Sequence, residues 1–78
     1  MTAENIKVIV TAILKSVIGK SKRADKVIAS IDERQNGILV YLSHGTTLGE
    51  AWEVQEEIKK AGLNIPEQIG NAVIYVTE

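Results

Sequence analysis

Lys26-Val-Ile-Ala-Ser-Ile-Asp-Glu-Arg-Gln-Asn-Gly-Ile-Leu-Val-Tyr-Leu42 is the stretch whose reading decides the fold. Val27, Ala29 and Ile31 alternate with Ile28, Ser30 and Asp32, the chain reaches Asn36-Gly37, and an apolar run resumes at Ile38. Asn-Gly between two β-rich segments is a strong hairpin signal, because a tight primed turn needs positive φ at both central residues. The spacing therefore predicts two antiparallel strands, about 26–33 and 38–43. A helix through Ala24, Val27, Ile28 and Ile31, stopped by Gly37, is the rival reading of the same residues.

Working outward, Ile6, Ile9, Val10, Ile13, Leu14 and Val17 recur at three- and four-residue steps and predict a helix over roughly 3–18. Thr2 is placed to cap it, and Gly19 to end it. The β-branched run Val8-Ile9-Val10-Thr11 argues the other way, for a strand. Downstream, Thr47-Leu48-Gly49-Glu50 is a capping box. It opens a helix over 47–62 with Leu48, Ala51, Trp52, Val54, Ile58 and Ala61 as its apolar face, Glu56 and Lys60 as an i, i+4 pair, and Gly62 as its stop. Leu63 to Gly70, which holds Pro66, reads as a connection. Ala72 to Thr77 reads as a strand that is apolar on both sides, and so interior or covered on both faces. The sum is an α/β (α+β) chain in the order α-β-β-α-β: a single small domain, 1–78, a two-layer sandwich with two helices on one face of a three-stranded mixed sheet. A crossover through the second helix would make the strands at 38–43 and 72–77 parallel neighbours.

Composition narrows the chemistry. In 78 residues without cysteine, disulfide scaffolds, thiolate metal sites and CxxC redox sites are excluded, and a chain this short buries only about 60% of its unfolded surface. Aromatic residues make up 4% of the chain, too few for much base or cofactor stacking. No apolar run approaches the roughly 20 residues that span a bilayer, so the expectation is a cytoplasmic protein with neither span nor signal peptide. The net charge of −1 conceals an asymmetry: residues 1–39 hold seven cations against four acids, and residues 40–78 hold two against six. Folding either preserves that dipole or interleaves the halves and erases it.

Candidate sites are few. His44, with Ser43 before it and the helix N-terminus at Thr47 after it, suits an anion, yet the capping box already engages the amides an anion would use. Ser43 and His44 are adjacent and point apart in a strand, which disfavours a nucleophile with its base. One histidine and the helical carboxylates Glu50, Glu53, Glu56 and Glu57 make no metal site. The expectation is a non-enzymatic chain without metal or cofactor. The first helix carries more apolar surface than a small sheet needs, which points to self-association, as a homo-oligomer, or to a protein partner. Ile6, Ile9, Val10, Ile13 and Val17 are the candidate interface residues, joined by Trp52, which is equally placed for the core.

The alternative is nucleic-acid binding. Val17-Ile18-Gly19-Lys20 and the basic loop 19–26, with Lys20, Lys22, Arg23 and Lys26, resemble the start of a KH-domain signature, in which a glycine-flanked loop clamps an RNA or DNA backbone. Lys22 stands where the second glycine belongs, and Asp25 where an apolar residue is wanted.

The order helix, hairpin, helix, strand, with Ile38-Leu39-Val40-Tyr41-Leu42, His44-Gly45, Val54-Gln55-Glu56-Glu57-Ile58 and Val73-Ile74-Tyr75-Val76, resembles the alkaline shock protein family of bacteria, the motifs covering residues 27–77. His44 takes the place of that family's tyrosine before glycine, and the stretch before the last strand is compressed. The resemblance implies a non-enzymatic, self-associating bacterial protein linked to envelope stress, with no catalytic residues to carry over.

Overall fold

Backbone hydrogen bonding divides the chain into α1 (Ala3–Val17), β1 (Ser30–Glu33), β2 (Gly37–Tyr41), α2 (Leu48–Lys60), β3 (Asn64–Ile69) and β4 (Val73–Thr77). The computed structural model describes residues 2–18, 30–42, 45–70 and 72–78. The basic loop 19–26, the first half of the strand expected at 26–33, and Ser43 and His44 lie outside those residues.

The β-branched run 8–11 is helical. Ile6, Val10, Leu14 and Val17 are all buried on one stripe, and tertiary burial of that stripe outweighs the few tenths of a kcal/mol of propensity lost per β-branched residue. Thr2 Oγ1 accepts the Asn5 N–H at 3.2 Å and caps the helix as expected. In α2 the capping box closes both ways: Thr47 Oγ1 accepts the Glu50 N–H at 3.1 Å, and Glu50 Oε1 accepts the Thr47 N–H at 2.9 Å. At the far end Gly62, at φ +87°, donates to the Lys59 carbonyl, and the Leu63 N–H reaches the Ile58 carbonyl. That pair of bonds is a Schellman motif, with Leu63 turned back into the core.

Ser30–Glu33 and Gly37–Tyr41 form the expected antiparallel hairpin, with Glu33 opposite Ile38 and the Arg34 N–H donating to the Gly37 carbonyl at 2.8 Å. Its turn differs from the sequence reading. Gln35 and Asn36 are the central pair, and neither they nor Gly37 have positive φ. Gly37 belongs to β2, where a Cβ would collide with the Val76 carbonyl oxygen of β4, so close strand approach is what requires glycine there.

The sheet has four strands in the order β1-β2-β4-β3, every pair antiparallel, which corrects the expected three-stranded mixed sheet and the α-β-β-α-β order. The segment read as a connection is β3. Its Pro66, which lacks an N–H, sits on an edge strand at a register shift between Asn64 and Glu67, one of the few places a sheet tolerates proline. β3 turns back into β4, and β4 inserts between β2 and β3. The parallel relation expected of the crossover through α2 thus holds between β2 and β3, which are not neighbours.

Both helices pack on one face of the sheet. Ile6, Val10 and Leu14 of α1 and Ala51, Val54 and Ile58 of α2 meet Ile38 and Val40 of β2 and Ile74 and Val76 of β4 in one continuous core. The order β1-β2-β4-β3 keeps the strands that precede α2 on one side of the sheet and those that follow it on the other, meeting at β2 and β4, which carry no charged residue.

Candidate functional site

Period-two alternation decides what is left outside. Because Ile38, Val40, Ile74 and Val76 face the helices, Leu39 and Tyr41 of β2 and Val73, Tyr75 and Thr77 of β4 face the other way. Register aligns them in rows. Tyr41 lies opposite Val73, which is opposite Ile69; Leu39 lies opposite Tyr75, which is opposite Glu67. On the β1 side Ser30 and Asp32 complete the same rows. The result is an apolar strip of Leu39, Tyr41, Ile69, Val73 and Tyr75 across three strands, with Tyr41 38% and Ile69 73% exposed and the other three half-buried.

The two tyrosines stand diagonally on the two central strands, within reach of each other. Asp32 and Glu67 bound the strip at its two edges. Beside it Arg34 is tied to Asp32 at 2.9 Å, so that this cation is paired. A second apolar feature lies on α2, where Leu48 and Trp52, one turn apart, are 60% and 63% exposed. The face of α2 that enters the core is Ala51, Val54 and Ile58. Leu48, Trp52 and Ala61, read as part of the same apolar face, lie outside the core, and Trp52, also a candidate interface residue, is exposed. Leu48 and Trp52 fall roughly 90° and 130° around the helix from that buried stripe, beyond what one small sheet covers, and Ala61 is the C-cap residue past the end of α2. The ion pair on α2 joins Lys60 to Glu57 at 3.6 Å, three residues apart, in place of the expected Glu56–Lys60 pair.

The candidate interface residues of α1 divide differently from the sequence reading. Ile6, Val10 and Val17 are buried in the chain's own core, Ile9 and Ile13 are half-buried against it, and the exposed large apolar residue of the helix is Val8. Burial in the sheet and against α2 is what absorbs them. Val8 lies in an open groove of about 700 Å³ lined by Glu4, Lys7, Thr11, Ala12, Lys15 and Glu33. Lys20, Lys22, Arg23 and Lys26, together with His44, lie outside the described residues. Among the described residues no three of His, Asp and Glu come together as a metal site would require. Thr46 Oγ1 and Gln55 Nε2 are closed off from solvent without a hydrogen-bond partner. No described helix is long and apolar enough to cross a membrane.

The strip on the outer sheet face was missed in the sequence, although its signal was present: residues 73–77 are apolar on both sides. No protein-family model matches the chain, and no curated protein or solved structure matches it either.

Proposed function

We propose that this chain is a non-enzymatic protein-association module that works through the outer face of its sheet. The observation that supports this reading is the strip Leu39, Tyr41, Ile69, Val73 and Tyr75, a contiguous apolar area with two aromatic residues at its centre and acidic residues at its edges. Tyrosine in the middle of an apolar patch with a polar rim is the composition of an interface core. An acidic rim suits a protein partner that carries cations around an apolar centre. A self-associating module is also what the resemblance to the alkaline shock proteins implies.

A second reading has one specific observation in its favour. Two aromatic side chains on the central strands of an antiparallel sheet backed by helices form a stacking platform for single-stranded nucleic acid. The charges on this face count against it. A phosphate chain crossing this face meets Asp32 and Glu67, and Arg34 is already paired. The basic loop 19–26 is where that reading would have to rest.

A photoreactive residue in place of Tyr75, with one in place of the exposed Glu53 on α2 as control, separates the two in cells. The expected result is a discrete protein adduct from position 75 and none from position 53. Adducts to RNA or DNA alone, or equal labelling from both positions, overturn the proposal.

A further inference from the structure

We infer that a second copy of this chain docks along one solvent-facing stripe of α1, the two helices running antiparallel about a twofold axis between residues 9 and 10. The surface is separate from the outer sheet face, so the inference goes beyond the association reading above.

The stripe is Glu4, Val8, Thr11 and Lys15, at steps of four, three and four residues, the spacing that keeps a seam facing a neighbouring helix. It lines the groove described above, with Lys7 and Ala12 beside it and Glu33 closing one side. Within it Val8 is 65% exposed, the one large apolar side chain of α1 left outside the core. What selects the occupant is the order of residues. Read in reverse, the stripe is complementary to itself: Glu4 meets Lys15 of the second copy, Val8 meets Thr11, and Lys7 lies over Ala12, each correspondence occurring twice. An isologous interface requires this property, and an ordinary solvated helix face does not. The ion pairs among the described residues, Arg34–Asp32 and Lys60–Glu57, leave Glu4 and Lys15 free for it. Ala12, with no side chain beyond Cβ, lets the helix backbones approach.

Size sets the strength. Fifteen residues of helix are about 22 Å long, and one such pair covers roughly half of the ~800 Å² per partner of a standard interface, so the dimer is weak and forms at high concentration. Its consequence is geometric. The sheets lie behind the helices, so pairing through α1 turns the two outer sheet faces away from each other and presents two copies of the Tyr41–Tyr75 strip to partners.

The chain has no cysteine, which permits a direct test. Val8→Cys and Thr11→Cys chains are mixed in equal amounts at about 0.5 mM under mild oxidation, a concentration at which a weak dimer of roughly millimolar Kd is populated. The antiparallel register predicts that the mixed disulfide dimer exceeds the two homodimers several-fold over the statistical share. In sedimentation, Glu4→Lys and Lys15→Glu each weaken the dimer about tenfold, and the double exchange recovers most of the loss. Statistical crosslinking, homodimers in excess, or a strict monomer at that concentration overturns the inference. None of these bears on adducts from position 75, so the sheet-face reading stands or falls by its own test.

Discussion

Gly37 sits where β2 passes closest to the carbonyl of Val76, and the collision a Cβ would suffer there is with backbone, which has no rotamer in which to escape. Gly37→Ala should therefore cost about 1–3 kcal/mol, read as a lowered urea midpoint with unchanged slope. Thr47 acts at a helix end. Thr47→Ala removes the acceptor for the Glu50 amide and should cost about 1 kcal/mol. The two residues also differ in how legible they are. Thr47 and Glu50 are three residues apart, and their pairing is written in the local sequence. The atom that fixes Gly37 lies thirty-nine positions downstream, and from the sequence that glycine looks like a turn residue.

Elements follow the same rule of distance. The start of both helices and the end of α2 could be read from neighbouring residues, because caps and periodicity are local. β3 could not, because Pro66 and the register shift beside it erase the alternation that marks a strand, and only pairing with β4 reveals it. Missing β3 also hid the direction of β4, since a strand entered from a hairpin runs opposite to one entered from a crossover helix. Trp52 shows a further limit: one turn of apolar residues at a helix start fits the core stripe or its flank equally well, and the width of the sheet decides. With Trp52 63% exposed, its fluorescence should be quenched by acrylamide nearly as strongly as that of free indole, and Trp52→Ala should move stability by less than about 0.5 kcal/mol. Ile74→Ala, at a fully buried position of the central strand β4, should cost about 2–5 kcal/mol by the same denaturation assay.

At the scale of the molecule, fourteen apolar residues among those described are buried as one core, and the two layers are unequal: one sheet face is covered by both helices, and the other keeps an apolar strip. A domain of this length has roughly 4–12 kcal/mol of stability to spend, and apolar side chains left facing water add little to it. Their place on the surface is what the proposed association role would account for. The most direct measurement is carbene footprinting of the outer sheet face, in the purified dilute chain and in fresh extract at native abundance. Leu39, Val73 and Tyr75 should be labelled in the dilute chain and protected several-fold in extract, while Trp52 on α2 stays labelled in both. Equal labelling of the strip in both states, or a strip already unlabelled in the dilute chain, would contradict the account.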